Sequence, residues 1–425
     1  MRKIAFLLAT VVVVLCGTLA IGQGQKELVV WCVAVHRDVA IGAYGAKIDV
    51  VSPFEKEHGV SIRWVTIPWT GMEEKVLREL ALPQTEADII FIVDDWARPD
   101  VLSKLMPLDD FMTAAPIEDF EGLAPGMVSA LIYEGKLRGI PVRANVQVLH
   151  YNKAIFAKRG IEHAPRTFEE LIEAAKAATY VREDGARVYG LGLKVPEDII
   201  GVIRAFGGDV MTPDYQVVCD SPQAIAAIKA LRDLYNAGAL PPDFFMLQAA
   251  DYERLVGQGL VAMVFFGDNY NLRFNDPTRV SPEVAGQMDV VPIPASETTG
   301  LELAPCKVAF WAMAIPNNAP RENRDLAWEF IRYLASPQVQ LSMALNGNGP
   351  TRAAVLADPQ YQVGVPYAWA SALAINVARR LWPPFAQVSQ AYDILAHEAV
   401  LAITGQKDPE QAMKDAAEAL RALLR

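Results

Sequence analysis

Short apolar runs alternate with amphipathic segments through the first hundred residues. Residues 27–33, 60–65 and 87–93 are rich in Val, Ile, Phe and Trp, which is typical of buried strands. Between them, residues 48–57 and 72–82 place apolar side chains at helical spacing. This order predicts an open α/β sheet whose strands are mostly parallel.

Polar side chains follow these predicted strands, in the loops after Val33, Ile67 and Val93. In an open α/β sheet, ligands bind beyond the carboxyl ends of the strands. We therefore expect these three loops to converge on one edge of the sheet. The first of them is predicted to be a loop over 36–45.

The rest of the chain continues the pattern with more Pro and Gly. Residues 134–136 predict a tight hairpin turn. Asn152, Thr167 and Ser221 are each placed to cap a helix, and Glu170 would complete a capping box with Thr167. Further predicted elements are strands at 146–151, within 257–266 and at 309–315, a helix at 323–335 and a mostly helical C-terminus.

The first 22 residues have a different pattern from the rest. Two basic residues precede an apolar stretch at 4–15, and small residues follow it at 17–22. This order predicts a secretory signal peptide over about 1–22, and therefore an exported protein that is periplasmic or associated with the cell surface. A single spanning helix is disfavoured, because it needs about 20 apolar residues.

The cysteines bear on both anchoring and cross-linking. Lipidation at Cys16 is disfavoured, because the preceding Leu15 is not small. After signal cleavage three cysteines remain, an odd number, which leaves at least one unpaired. We favour small buried hydrophobic roles over any disulfide for Cys32, Cys219 and Cys306.

Composition narrows the function classes. The chain has 425 residues, 52% of them hydrophobic, which suits two to three globular domains. Lys and Arg number 39 against 50 Asp and Glu, giving a net charge of −11. This acidic balance argues against nucleic acid as a partner and counts mildly against an anionic ligand.

Enzyme and cofactor motifs are absent from the sequence. It contains no P-loop, no Gly-x-Ser-x-Gly turn and no calcium loop, and His397-Glu398 has Leu401 where a zinc protease motif needs His. We therefore expect no cofactor and no metal. Asp94-Asp95 follows a predicted strand and is the acidic pair best placed to line a cleft.

Several short blocks, taken in order, carry a family resemblance. They are Phe-Glu-Lys-Glu-His-Gly-Val at 54–60, Ala-Asp-Ile-Ile-Phe at 87–91, Gly-Lys-Leu-Arg-Gly-Ile-Pro at 135–141, Leu-His-Tyr-Asn-Lys at 149–153, Pro-Arg-Thr-Phe-Glu-Glu-Leu at 165–171, Gly-Gln-Gly-Leu-Val-Ala-Met at 257–263 and Ala-Trp-Glu-Phe-Ile-Arg-Tyr-Leu at 327–334. By these blocks the chain resembles extracellular solute-binding proteins of carbohydrate-type ABC importers, the family that includes maltose- and glycerol-phosphate-binding proteins. It departs from the family pattern at 33–38 and 266–269, two loops that would face the ligand.

The resemblance implies two α/β lobes of the periplasmic-binding-protein type, joined by a multi-strand hinge that closes on the ligand. It places the N-terminal lobe at 23–141 and 292–348. The C-terminal lobe is then 142–291 and 349–425. The chain would cross the hinge near 140–143, 290–294 and 346–352.

Sugars offer apolar C–H faces and rings of hydroxyl groups, so a sugar site needs aromatic platforms and planar polar groups. Residues of these types near strand ends or hinge crossings are the candidate ligand contacts. A salt bridge is the competing role for Arg143, and a turn is the competing role for the loop of Arg352. The candidates are Trp69, Asp94, Asp95, Trp96, Arg143, Asn145, Asp268, Asn269, Tyr270, Trp311, Arg352 and Trp382.

Three functions remain open on the sequence. The leading one is a monomeric binding protein that captures a small carbohydrate and delivers it to an ABC permease. The second is a binding protein for a polyol phosphate or another non-sugar solute, with Arg37, Arg143 or Arg352 on the anion. The third, from a different class, is a secreted glycoside-acting enzyme that uses Asp94 or Asp95 with a second acid.

Overall fold

The computed structural model describes residues 26–385 and 387–425, and the predicted signal peptide and Cys16 lie outside them. The strands are β1 (Lys26–Cys32), β2 (Val60–Thr66), β3 (Ile89–Val93), β4 (Ile132–Tyr133), β5 (Lys136–Leu137), β6 (Ile140–Asn152), β7 (Tyr180–Val181), β8 (Arg187–Gly192), β9 (Val261–Gly267), β10 (Met288–Val291) and β11 (Val308–Ala314).

Helices surround the strands. They are α1 (Ala34–Ala40), α2 (Val51–His58), α3 (Met72–Leu80), α4 (Pro99–Leu102), α5 (Asp109–Ala114), α6 (Pro125–Ser129), α7 (Lys153–Lys158), α8 (Phe168–Ala177), α9 (Glu197–Ala205), α10 (Pro222–Asn236), α11 (Ala249–Gly257), α12 (Tyr270–Phe274), α13 (Arg324–Ala335), α14 (Pro337–Leu345), α15 (Ala353–Leu356), α16 (Pro359–Gly364), α17 (Ala368–Ala374), α18 (Val388–Ile403) and α19 (Pro409–Leu423).

The main sheet has the strand order β2-β1-β3-β11-β6-β9-β8-β7, with β10 also paired to β6. β1 is parallel to β2 and β3, and β8 is parallel to β9. The strands between these parallel groups, β11 and β6, pair antiparallel with their neighbours. The sheet is therefore mixed, whereas the sequence predicted mostly parallel strands. The difference arises because the chain returns through the middle of the sheet along β11.

Two hydrophobic cores lie on either side of the centre of β6. Ile140, Val142 and Ala144 pack in the first core, and Val146 and Val148 pack in the second. One 13-residue strand thus belongs to both lobes and crosses between them near Asn145. The predicted strand at 146–151 is the second half of this longer strand.

The assignment of residues to the two cores also locates the other two hinge crossings. Ile293 and Cys306 pack in the second core, whereas Phe310 packs in the first. The chain therefore returns along β11, later than the expected crossing at 290–294. Met343 lies in the first core and Ala344 in the second, close to the expected third crossing. On this basis we propose lobes of 26–144 with 309–343, and of 146–307 with 344–425.

The segment after the third crossing packs directly on β6. The Ala144 amide donates to the Gly349 carbonyl over 2.9 Å. A Cβ on Gly349 would stand 1.4 Å from the Ala144 carbonyl oxygen. Thr351 Oγ1 donates to the Pro141 carbonyl over 3.2 Å, and Asn348 Nδ2 to the Val142 carbonyl over 2.8 Å. The hinge is therefore a compact junction of β6, β11 and this segment.

Most local predictions agree with the structure. Asn152, Thr167 and Ser221 each accept the expected capping hydrogen bond. The Glu170 carboxylate, however, accepts from the Arg166 amide, one residue before the predicted capping-box partner. The predicted loop at 36–45 is also wrong in its first half, where α1 forms over Ala34–Ala40 and directs His36 inward.

Cys32, Cys219 and Cys306 are buried and unpaired, so their predicted role as small core residues is confirmed. Desolvation raises the thiol pKa of each to about 12, which keeps the thiols protonated and unreactive. Within the described residues, none of the helices is long and apolar enough to cross a membrane.

Candidate functional site

Three of the predicted tryptophans meet on the first lobe, where it faces the second. Trp69 stacks on Trp96, with ring centroids 6.0 Å apart and planes 3° apart. Trp311 stands edge-on to both, at 5.6 Å from Trp69 and 6.1 Å from Trp96. Trp96 and Trp311 are buried, but Trp69 is 54% exposed. The cluster therefore offers a partly open aromatic surface.

The parallel strands of the first lobe bring this cluster together. Trp69 follows β2 and Trp96 follows β3. These strands lie on either side of β1 and are parallel to it, so the residues that follow them lie at the same edge of the sheet. Trp311 pairs with Val93, the last residue of β3. His36, just after β1, stacks on Phe91 at 4.3 Å and lies edge-on to Trp311 at 4.6 Å. The expected convergence of the three strand-end loops is thus present.

Asp94 is buried at the end of β3 and holds the two lobes together. Its Oδ1 accepts from the Phe310 amide over 3.4 Å, and its Oδ2 lies 3.4 Å from Arg380 Nε. Arg380 also donates to the Asp94 carbonyl over 2.5 Å. Arg380 precedes Leu381 of the second core, so this ion pair spans the lobes. The Asp94 carboxyl is already engaged by protein groups, which disfavours direct contact with a ligand.

Burial raises the pKa of Asp94 to about 7, with the neighbouring charge of Asp95 as the next cause. The unfolded chain releases this proton near pH 4, so the free energy of unfolding falls as pH rises from about 4 to about 7. We expect Asp94→Asn to remove part of this fall, on the order of 1–3 kcal/mol. Melting temperature measured across that range tests it, with the exposed Asp243→Asn as the control. An unchanged slope in Asp94→Asn would contradict the assignment.

Asp95 is half-buried and unpaired among the described residues. Its charge acts on Lys307 and Tyr392 of the second lobe. Lys307 Nζ pairs with Glu197 Oε1 at 3.0 Å. Asp95 is therefore the member of the acidic pair whose carboxylate remains available between the lobes.

The centre of β6 presents a row of polar side chains. Arg143, Asn145 and Gln147 alternate along the strand, so they point to one face of it. Arg143 Nη1, Asn145 Oδ1 and Gln147 Oε1 are all buried without a hydrogen-bond partner in the described part of the chain. Buried polar atoms are nearly always paired, so these three atoms mark a place that a ligand or water completes.

Residues after β9 face this row from the second lobe. Asp268 Oδ2 accepts from Ser371 Oγ over 2.6 Å, and its Oδ1 accepts from the Asn269 amide over 2.8 Å. Desolvation raises the Asp268 pKa to about 6. Asn269 Oδ1 is another buried acceptor without a partner among the described residues. Tyr270 packs on Phe266 at 4.7 Å, so its ring belongs mainly to the wall of this lobe.

Gly267 makes the room for these amides. A Cβ on Gly267 would lie 2.5 Å from Asn145 Nδ2 and 3.1 Å from Asn269 Oδ1. The end of β9 therefore has no side chain where two candidate residues approach each other.

The structure adds residues that the sequence argument did not select. His36 and Gln147 have buried, unpartnered polar atoms, and so does Tyr367, whose charge environment includes Arg143 and Asp268. Gln147 was accessible to prediction, because it continues the alternation of Arg143 and Asn145. Tyr367 is the N-cap residue of α17 and Ser371 lies within it, and nothing in the local sequence indicates that α17 approaches β6.

Arg352 is engaged by protein groups, which disfavours the predicted contact with a ligand. It is fully buried, and its guanidinium donates to the Ala335, Glu118 and Asp119 carbonyls. Its Nη1 also lies 3.1 Å from Asp119 Oδ2. The Gly-rich loop places Arg352 at a hinge crossing. Its long side chain extends into the first lobe, away from the boundary between the lobes, which is called the seam and is lined by Arg143, Asn145, Gln147 and Asn269.

Arg352→Met is expected to destabilise the fold without changing ligand affinity. The substitution leaves three buried carbonyls without their donor, which costs about 3 kcal/mol or more. Chemical denaturation measures the loss, and titration of the surviving folded protein measures affinity. A large loss of affinity at unchanged stability would restore Arg352 to the site.

Trp382 and Arg37 are likewise engaged by other parts of the protein, and their predicted ligand contacts stay predictions. Trp382 is buried in the second core against Tyr392, at 5.5 Å between ring centroids. Its Nε1 has no partner in the described chain. Arg37, a candidate anion contact, is instead paired with Asp38 at 2.6 Å.

A family comparison decides what kind of protein carries this arrangement. A model of the family described as bacterial extracellular solute-binding protein matches residues 40–341. The chain belongs to the bacterial extracellular solute-binding protein family. The family is one of binding proteins for transport, and its extracellular location agrees with an exported chain.

This solute-binding protein has distant curated relatives. It is 26% identical to a binding protein of Brucella abortus over 240 residues, which are 53% of this chain and 56% of the relative. The match thus spans little more than half of the relative's length.

Solved structures resemble the solute-binding protein over nearly its whole length. Maltose-bound MalE3 of T. maritima has a TM-score of 0.78 at 23% identity, covering 94% of this chain and 100% of that one. A solute-binding protein of Thermotoga lettingae bound with α-D-tagatose has a TM-score of 0.78 at 24% identity, with the same coverage. At such identities the likeness shows the fold, and it confirms the predicted two-lobed α/β architecture.

Proposed function

We propose that this protein captures a small carbohydrate between its two lobes and delivers it to the permease of an ABC importer. The observation that carries the proposal is the tryptophan cluster of Trp69, Trp96 and Trp311 beside the polar row on β6. Indole faces suit the apolar C–H faces of a sugar, and amides suit its hydroxyl groups. The sugar-bound relatives in the same fold, with maltose and tagatose, support this class of ligand.

The mechanism we propose is closure of the lobes around the solute. The contacts that already join the lobes away from the hinge include Asp94 with Arg380, and Tyr44 with Arg279, whose Nη2 donates to the tyrosine hydroxyl over 3.0 Å. A ligand that touches both lobes adds contacts only in the closed form, so it shifts the population toward closure. The permease would then recognise the closed form.

A thermal-shift screen tests the function. A ligand that binds the folded state stabilises it by RT ln(1 + [L]/Kd), so a true ligand raises the melting temperature with concentration. We expect hits among mono- and oligosaccharides or closely related polyhydroxylated solutes. A panel in which only amino acids or peptides shift the melting temperature would overturn the carbohydrate assignment.

A second candidate, an anionic solute, is favoured by one observation. Of the three arginines considered for an anion, Arg37 and Arg352 are engaged elsewhere, and only Arg143 remains unpaired in the seam. The acidic net charge of the whole chain counted against such a ligand, but the charge local to the site decides binding.

We also propose that the protein has no glycosidase activity. Asp94, one of the two acids considered for catalysis, is tied to Arg380 and the Phe310 amide. Hydrolysis of a glycoside panel above the buffer rate, lost in Asp95→Asn, would overturn this part. We further propose a monomer that works at the cell surface or in the periplasm, which size-exclusion chromatography with light scattering and cell fractionation would test.

A further inference from the structure

Arg143 is the most unusual charged residue of the seam. It is 4% exposed, and none of the hydrogen bonds or ion pairs among residues 26–385 and 387–425 involves its side chain. A buried cation without a partner is costly, and proteins rarely retain one unless something pairs with it. The contrast within this chain is Arg352, equally buried but bonded to three carbonyls and a carboxylate.

In the described part of the chain, the charged and titratable groups around Arg143 form no hydrogen bond or ion pair with its side chain. Asp268 is near enough to act on it electrostatically, but both carboxylate oxygens are bonded to Ser371 and Asn269. Arg273 adds a second positive charge, and its own carboxylate partner is Glu253, at 2.9 Å. Tyr270 and Tyr367 face it as hydroxyl groups, and desolvation keeps His36 uncharged.

The unpartnered atoms beside Arg143 are hydrogen-bond acceptors, so they need donors and not an anion. Asn145 Oδ1, Gln147 Oε1 and Asn269 Oδ1 are buried acceptors without donors in the described chain. The orientation of Gln147 is fixed, because its Nε2 donates to Asp198 Oδ1 over 2.7 Å and leaves Oε1 as the free atom. The seam therefore combines one unpaired cation with several acceptors that require hydroxyl donors.

We propose that the solute is a polyhydroxylated small acid, whose anionic oxygens pair with the Arg143 guanidinium while its hydroxyl groups donate to Asn145, Gln147 and Asn269. A planar guanidinium forms two parallel hydrogen bonds to a carboxylate or a phosphate. A sugar acid and a sugar or polyol phosphate share this chemistry. The inference rests on the proposed function, since it assumes that the seam is the ligand site.

The first test needs no ligand. Arg143→Met removes an unpaired buried charge and keeps the length of the side chain, so the ligand-free variant should melt at a higher temperature than the parent protein. Arg352→Met is the matched contrast and should melt lower. If Arg143→Met instead melts lower by a margin similar to Arg352→Met, Arg143 is a structural residue and the inference fails.

The second test pairs acidic and neutral solutes of the same skeleton. Galacturonate is compared with galactose, gluconate with glucose, and glycerol 3-phosphate with glycerol, by calorimetric titration of the exported full chain. We expect at least tenfold tighter binding for the acidic member in one pair, and the pair that responds separates carboxylate from phosphate. Arg143→Gln should abolish the preference, and the exposed Arg166→Gln should retain it.

The two proposals can fail separately. Tighter binding of neutral members, unchanged in Arg143→Gln, would overturn the acidic ligand and leave carbohydrate capture in place. Binding of acidic solutes that survives Trp311→Ala but not Arg143→Gln would support the charge contact and overturn the tryptophan cluster as the sugar platform. No response to any acidic or neutral member would overturn both.

Discussion

Gly349→Ala is expected to destabilise the protein by about 4 kcal/mol or more, the exceptional end of single-substitution effects. The added Cβ would stand 1.4 Å from the Ala144 carbonyl oxygen and 2.6 Å from its carbon. Both neighbours are backbone atoms of β6, so no side chain can rotate away. The hydrogen bond from the Ala144 amide to the Gly349 carbonyl would also be lost or stretched.

Urea denaturation of the variant and its parent measures this effect. Gly126→Ala is a matched control, because Gly126 lies in α6 with an ordinary φ and open space where the Cβ would stand. The control should be neutral or slightly stabilising. Equal stability of the two variants would mean that the hinge segment does not pack on β6 as described.

Trp311→Ala is expected to weaken ligand binding by about 30-fold, which corresponds to about 2 kcal/mol. Trp311 is buried and contacts His36 as well as the other two tryptophans. Its removal takes away one aromatic face and loosens the other two. Calorimetric titration with the solute found in the screen measures the change.

Since Trp311 is buried, its loss also lowers stability, and a second variant separates the two effects. Trp69→Ala removes a half-exposed ring of the same cluster at little cost in stability, and should still weaken binding by about tenfold. Trp369, exposed on α17, provides the control Trp369→Ala, which should bind like the parent. If both cluster variants bind normally while folded, the cluster is structural packing.

Much of the fold could be predicted because the relevant signals are local. The apolar runs of β1 to β3, the caps at Asn152, Thr167 and Ser221, and the hairpin turn each depend on a few neighbouring residues. The directions of β6 and β11 could not be read in this way. They depend on which distant strands pair with β6 and β11, and the packing of the two cores determines that pairing.

The sequence predicted which candidate residues lie together where this depends on strand ends. It could not predict this where the direction of a side chain depends on the packing of the lobes. Trp69 and Trp96 follow strands, so a parallel sheet brings them together without further information. Arg143 and Arg352 both lie at hinge crossings, and the sequence does not distinguish them. One side chain points into the seam and the other into the first lobe, because the backbone at each crossing faces a different way.

The pairing of β3 with β11 has a consequence for biogenesis. Val93 pairs with Trp311, a residue that leaves the ribosome long after it. Until then the first lobe lacks a central strand, so its sheet cannot close and its core stays incomplete. Contacts this far apart in sequence slow folding. The first lobe would thus reach its folded state only after most of the chain, through β11, has been synthesised.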